Sequence, residues 1–543
     1  MNKNLLKSFT VAALCIAPSL VFAQAPNMGT AVNFVLFSTN GAVSNSGVSQ
    51  YTGNIGTNNG SSTNFGNVNG TMHDMDAASA KCAADLLSGY NTLAGTTATL
   101  FPASNVLGNG QILTPGVYSI SGAATLNLGL TLDGQNAANP VFIIRILGSF
   151  STNASSKVYL KNGAQACNVY WQIEGLVTMA AGTTMRGTVI ANNAAISLAA
   201  GDTLEGRALT TKGAVTSNGV LAYTPVGCGS PLLSGPNAPT LGAAACYAVF
   251  STTGAVTNSG TTLITGDVGS NSSAPTGFNA ANITGTLHST PDGSTAQCAK
   301  DLDTAYQQIN KLVPDIMLLY PAQFGNNLVL TPHTYHMNGA ATLTDTVIMN
   351  AQGNANAVFV IQINGALSTT AHSKVKLING TQAKNVYWKI EGAVTLSDYS
   401  VFNGTIICNN GALGAIKTGV VLNGRALTTA GALSITASTI TASAIPGNCA
   451  SVGIQQPASE NKSIRIFPNP FSGSVTLVVN NIAELKQVDL KIHTVLGQEV
   501  LNTRLINQTT VLETSAMPSG IYFYSIIADN QVIQTGRLVS QQH

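Results

Sequence analysis

The chain has 543 residues with 23 Lys and Arg against 21 Asp and Glu, a net charge of +2, so 8% of it is charged where roughly 25% is usual. That balance excludes an acidic tail and a basic nucleic-acid surface driven by counterion release. No apolar run reaches the ~20 residues that span a bilayer, and Gly, Ser, Thr and Asn replace the missing charge.

Lys3 and Lys7 precede an apolar stretch from Phe9 to Phe22, and Val21-Phe22-Ala23 before Gln24 reads as a small-residue cleavage site. This predicts a signal peptide over 1–23 and an exported mature chain. Beyond Cys15 in the signal, seven cysteines remain: Cys82, Cys167, Cys228, Cys246, Cys298, Cys408 and Cys449. An odd number allows at most three disulfides, whose pairing stays open, and no CxxC or Cys/His spacing resembles a zinc site.

The body of the chain is one unit written twice. Phe37-Ser38-Thr39-Asn40-Gly41-Ala42-Val43 returns as Phe250-Ser251-Thr252-Thr253-Gly254-Ala255-Val256, Asn168-Val169-Tyr170-Trp171 as Asn385-Val386-Tyr387-Trp388, and Gly206-Arg207-Ala208-Leu209 as Gly424-Arg425-Ala426-Leu427. The expected domains are therefore 30–226 and 244–449, joined by a Gly/Pro/Ser linker over 227–243. Within each copy a Gly, a small or apolar residue, an apolar residue and then Ser or Thr recur, about every 18–27 residues in the C-terminal half. This suits the coils of a parallel β-solenoid, which buries its inward residues only by stacking coils. Alternation sends Val43, Ala124, Phe150, Val177, Ile196 and Val215 inward. One early segment of each copy has helix spacing instead: Cys82, Leu86, Tyr90 and Leu93, then Cys298, Leu302, Ala305, Ile309 and Leu312. Asp74 and the Thr290-Pro291 pair are the expected helix starts.

After a second linker over 450–462, residues 463–543 regain ordinary charge and read as a small β-sandwich with turns at Gly497 and Pro518-Ser519-Gly520. Phe467-Pro468-Asn469-Pro470-Phe471, Val495-Leu496-Gly497-Gln498, Pro518-Ser519-Gly520-Ile521-Tyr522 and Arg537-Leu538-Val539 resemble the type A sorting domain of the Bacteroidetes type IX secretion system. That resemblance implies secretion, with release or attachment at the cell surface.

Catalysis finds little support. Asp133, Asp202, Glu174 and Glu205 are scattered and only Glu174 has a counterpart, Glu391, so neither paired glycosidase carboxylates nor a lyase cluster is indicated. Arg207 and Arg425 recur as packing or carbonyl-binding residues, and His73 and His288 fit local hydrogen bonds near the helix starts better than metal ligation. No cofactor or metal is expected. What recurs is a column of hydroxyls pointing outward: Ser44, Thr125, Ser151, Thr178, Ser197 and Thr216, then Thr257, Thr342, Ser368, Thr395, Gly414 and Ser434. Eleven of these twelve positions carry a hydroxyl. Two residues earlier stands a small-residue column: Ala42, Ala123, Ser149, Leu176, Ala195 and Ala214, then Ala255, Ala340, Ala366, Ala393, Ala412 and Ala432. A protein needing only solubility would place Lys and Glu there. A third column reads Ser259, Thr344, Thr370, Ser397, Ile416 and Thr436 in the second copy against Ser46, Asn127, Asn153, Ala180, Ala199 and Asn218 in the first, so the second copy is expected to be the stronger binder.

The Phe-x-x-x-x-Gly-Ala-Val start, the helix after Gly70-Thr71-Met72-His73 and Gly285-Thr286-Leu287-His288, the Leu113-Thr114-Pro115-Gly116-Val117-Tyr118 element and the Asn-Val-Tyr-Trp and Gly-Arg-Ala-Leu blocks together resemble the microbial ice-binding protein family. The resemblance spans nearly all of both repeats and departs at Thr331-Pro332-His333-Thr334-Tyr335, where Gly-Val is replaced. It implies a mainly β protein: two tandem right-handed discontinuous β-solenoids of triangular section, each with one long helix alongside, plus the C-terminal sandwich. The implied function is non-enzymatic: a secreted monomer that adsorbs to ice, giving thermal hysteresis and recrystallisation inhibition. The implied contact residues are the eleven hydroxyls with Thr344, Thr370 and Thr436. Its expected partners are the ice surface and the type IX machinery, with no nucleic acid and no membrane span. The alternative is a secreted adhesin or carbohydrate-binding protein, disfavoured because Trp171 and Trp388 read as core.

Overall fold

The computed structural model describes residues 24–228, 232–446, 449, 464–479, 488–528 and 531–541. The signal-peptide reading over 1–23 and the linker over 450–462 fall outside them.

Each repeat folds into coils of three parallel strands. In the first domain one coil runs through Ala124–Asn127, Gly129–Asp133 and Phe142–Ile146, and the next through Phe150–Thr152, Lys157–Lys161 and Val169–Ile173. The first strands of successive coils form an eight-stranded sheet in domain 1 and a seven-stranded sheet in domain 2, while larger sheets of 13 and 14 strands wrap the other two sides. The solenoid is discontinuous: Val43–Ser46 pairs with Val215–Asn218 instead of Ala124–Asn127, and Val256–Ser259 pairs with Leu433–Thr436. The first coil of each domain thus closes against its last coil. The predicted inward residues are all buried, Val43, Val177, Ile196 and Val215 completely. Trp171 and Trp388 lie in the cores and donate their indole N–H to the Arg186 and Asn403 carbonyls at 2.9 Å.

Two helices, α1 (Ala77–Gly95) and α2 (Gly293–Asn310), each cover one side of a solenoid. Cys82, Leu86 and Leu93 of α1 pack on Phe37, Ile143, Tyr170 and Ile190. Cys298, Leu302 and Ile309 of α2 pack on Phe250, Val360 and Tyr387. Burying each such leucine contributes about 1.5–3 kcal/mol. The caps differ from the sequence expectation: Asp76 and Asp292 are the N-caps, each accepting from the backbone N–H of Ser79 or Thr295, whose hydroxyl in turn receives the cap's own N–H. Asp74 and Thr290 lack a hydroxyl residue three positions on that closes this reciprocal box. Asp74 instead ends the strand Met72–Asp74 and accepts from Ser62.

The remaining recurring polar residues also serve the fold. His73 and His288 bond Asp76 and Asp292 through Nδ1 at 2.7 Å. Arg207 donates to the Val32 carbonyl and Arg425 to those of Ala245 and Ser443; burial lowers both guanidinium pKa values to about 10. Glu174 and Glu391 accept from Tyr90 and Tyr306, tying each helix to its solenoid. Two disulfides form. Cys167–Cys228 holds the segment leaving domain 1, and Cys246–Cys449 joins the two ends of domain 2, while Cys82, Cys298 and Cys408 are buried thiols. The C-terminal strands form antiparallel sheets of three and four, giving the expected sandwich around Val475, Leu490 and Ile526.

Candidate functional site

The hydroxyl column of domain 1 becomes a single row across the eight-stranded sheet. Its register runs Thr125 beside Ser151, then Thr178, Ser197, Thr216 and Ser44. Because the first coil closes on the last, Ser44 lies next to Thr216, far from Thr125. Thr63 extends the row beyond Ser44 and Val106 ends it beside Thr125. Neither was visible in the sequence: 61–63 lacks the Gly-small-apolar lead, and Val106 breaks the hydroxyl rule.

In domain 2 the row is Thr342, Ser368, Thr395, Ala415, Ser434 and Thr257, with Thr276 beyond. Here the sequence reading needs two corrections. Ala415, in place of Gly414, pairs with Thr395, and Ile416 is 1% exposed in the core instead of facing outward. The register shifts between Leu413 and Ile416, so Gly414 and Ala415 together oppose Ser434. Such a β-bulge inserts one residue and reverses the facing of everything after it. Alternation counted from Leu413 cannot anticipate it.

The row is partly self-satisfied. Thr125 and Ser151 hydroxyls lie 3.0 Å apart, Thr342 and Ser368 3.2 Å, and Thr216 donates to Ser197 at 3.2 Å and Thr257 to Ser434 at 3.3 Å. Each lateral bond uses one hydroxyl hydrogen and leaves acceptor capacity on both oxygens. Along the strands, alternation puts Val43, Val177 and Leu433 under the sheet, so the row stands on a rigid apolar floor. The third column differs between domains. Domain 1 carries an amide ladder in which Asn153 donates to Asn127 at 2.7 Å and Asn127 to Asn109 at 2.8 Å. Domain 2 has Thr436 and Ser259 hydroxyls 3.1 Å apart, with Thr344 paired beside Gly325 and Thr370 exposed just past the strand Leu367–Thr369. In the small-residue column, Leu176 is 49% exposed and is the sole large side chain.

No group of three or more His, Cys, Asp or Glu able to hold a metal occurs among the described residues. The hydroxyl row carries no charged side chain and lies on one parallel sheet of a β-solenoid, while the bulge brings the exposed Lys417 into the third-column place expected for Ile416. The model of the ice-binding-like family matches residues 37–220 and again 250–441, so the chain belongs to that family, in tandem. A secretion system C-terminal sorting domain matches residues 465–541, and the protein is accordingly secreted, to the extracellular space or the cell surface. A crystal structure of an ice binding protein from an Antarctic Flavobacteriaceae bacterium is 54% identical and superposes with a TM-score of 0.76, covering 77% of this chain and 99% of that one. An ice-binding protein of Nostoc sp. (strain HG1) is 37% identical over 195 residues, 35% of this chain and 70% of its own length. Another from Flavobacterium frigoris (strain PS1) is 32% identical over 199 residues, covering 34% and 70%.

Proposed function

We propose that the protein adsorbs to ice through the hydroxyl-bearing sheets of both solenoids, producing thermal hysteresis and inhibiting recrystallisation without catalysing a reaction. The observation that carries this reading is the uninterrupted lateral register of Ser and Thr in domain 1, flanked by a column of small residues. Methyl groups order the adjoining water while the hydroxyls' free acceptor capacity anchors it, and ordered bridging water binds nearly as well as direct contact. Strands hydrogen-bonded on both sides lose little entropy on binding. Charged side chains, which hold a competing hydration shell, are absent from the row. Adsorbed molecules then force ice to advance as curved fronts between them, which lowers its growth temperature.

The contact residues of this reading are Ser44, Thr125, Ser151, Thr178, Ser197 and Thr216 in domain 1. In domain 2 they are Thr257, Thr342, Ser368, Thr395 and Ser434, with Thr344, Thr370 and Thr436 on the third column. Domain 2 is the stronger binder, since its third column offers the small hydroxyl side chains of Ser259, Thr344, Thr370, Ser397 and Thr436 where domain 1 offers the larger amides of Asn127, Asn153 and Asn218. The test is partition of the purified chain into a slowly growing ice crystal, followed by the same measurement with one bulky substitution per face. Exclusion of the unmodified chain from the ice would end the proposal.

A further inference from the structure

The linker composition alone describes a flexible tether, yet the structure holds its two ends. Cys228 is bonded to Cys167 of domain 1, and on the other side the Leu233 and Ser234 carbonyls accept from Asn354 and from the Val358 backbone of domain 2. The solenoids themselves meet end to end. The strands Ser62–Thr63 and Gln50–Thr52 edge one end of domain 1, and the strands Phe324–Gly325 and Leu328–Leu330 edge the facing end of domain 2.

The contacts match corner to corner. Gln50 follows the turn out of the hydroxyl sheet of domain 1, and its amide donates to the carbonyl of Asn326, on the corresponding turn of domain 2, at 2.6 Å. At the next corner Asn69, 2% exposed, accepts from the Tyr335 hydroxyl at 2.7 Å and donates to Thr331 at 3.1 Å. Asn67 exchanges two bonds with the Tyr320 backbone, just before the domain 2 sheet begins. Anchors at these separate points fix the rotation of one solenoid about the other's axis, with the hydroxyl sheets on the same side.

The departing stretch Thr331-Pro332-His333-Thr334-Tyr335 is this contact. Its domain 1 counterpart has Gly116 where His333 stands, and there the equivalent tyrosine, Tyr118, bonds only within its own turn, to Thr114. At the opposite end of domain 2, Thr284 occupies the place of Asn69 and Leu263 that of Gln50. A head-to-tail interface with both ends complementary would grow a filament; here only the inner pair of ends is complementary.

We propose that the end-to-end contact of Asn69 and Gln50 with Tyr335, Thr331 and Asn326 makes the two hydroxyl sheets one rigid composite ice-binding surface. This rests on the reading of those sheets as the binding faces. Fifteen strands at about 4.8 Å make a face on the order of 70 Å long. Two faces held in one orientation engage a crystal plane together, so the second binds without a further search, which a loose tether does not ensure.

The experiment uses the full chain in four forms: unmodified, Asn67→Ala with Asn69→Ala, Thr178→Tyr, and Thr395→Tyr. Small-angle X-ray scattering of the unmodified chain should fit one domain arrangement; a profile requiring many arrangements overturns the proposal. The asparagine variant should scatter as a broadened ensemble while circular dichroism shows both domains folded. Its hysteresis should fall at least about twofold, into the range set by the two single-face variants. If its scattering is unchanged, adding Gln50→Ala removes the remaining side-chain bond between the domains and the same comparison is made. Full hysteresis in a loosened chain, with Thr178→Tyr and Thr395→Tyr both impaired, sinks the composite surface and leaves the faces intact as sites. Full hysteresis in both tyrosine variants instead overturns the faces themselves.

Discussion

Domains 1 and 2 share a core and differ on the outside. Inward positions are interchangeable: Val43 and Val256, Phe150 and Leu367, and Val215 and Leu433 all lie at 0–1% exposure. Outward positions on the same strands diverge, with bonded amides, Leu176 and an unbroken hydroxyl row in domain 1, against hydroxyls on a third column and a bulge at Gly414 and Ala415 in domain 2. Packing constrains the inward set to apolar residues of suitable volume, whereas the outward set is free to be shaped by what it binds. The difference between the copies is thus concentrated where function is expected.

The largest effect that would sharpen this comparison concerns stability. Asp202 of domain 1 is 2% exposed at a coil corner, and burial raises its carboxyl to about 6 even though the Ala199 and Thr183 backbone N–H groups bond it. Val420 holds the equivalent corner of domain 2. A carboxyl whose value is raised on folding favours the folded state when protonated. That contribution is full below about 3.8, the ordinary value, and is lost as pH rises through about 6. Domain 1 should therefore be more stable at pH 4.5 than at pH 7.5, by about 2 kcal/mol at 1.36 kcal/mol per unit between pH 4.5 and the raised value of about 6. Denaturant melts followed by Trp171 fluorescence in a Trp388→Phe chain report it, and a lower midpoint at pH 4.5 would contradict the assignment.

Next in size is Thr395→Tyr, which places a ring in the middle of the domain 2 row and should reduce hysteresis several-fold. Its melting temperature should stay nearly unchanged, because an outward substitution of this kind alters stability by about 0.5 kcal/mol or less. Thr178→Tyr should cost less, about twofold, since it blocks the weaker of two linked faces. A larger loss from Thr178→Tyr than from Thr395→Tyr would reverse the ranking of the domains. The smallest change is a gain: Leu176→Ala removes the one large side chain from the small-residue column and should raise hysteresis modestly. An unchanged or lower value would show that this column does not approach ice.

Much of this was legible because a strand records its facing locally. Val177 inward and Thr178 outward follow from a period of two, and Cys82, Leu86 and Leu93 share a helix face at a period near 3.6. The sequence likewise determined the duplication, the helix in each copy and the sorting domain, since each is a matter of residues near one another in the chain. Which strands become neighbours is not local. Only the tertiary structure decided that Ser44 sits beside Thr216, that Gly414 and Ala415 bulge and turn Ile416 into the core, and that Cys167 meets Cys228. It also decided that Asn69 and Tyr335, 266 residues apart, join two solenoids end to end. These depend on how coils close and stack, where a hydrogen bond or a buried contact forms between segments whose separation in sequence carries no periodic signal.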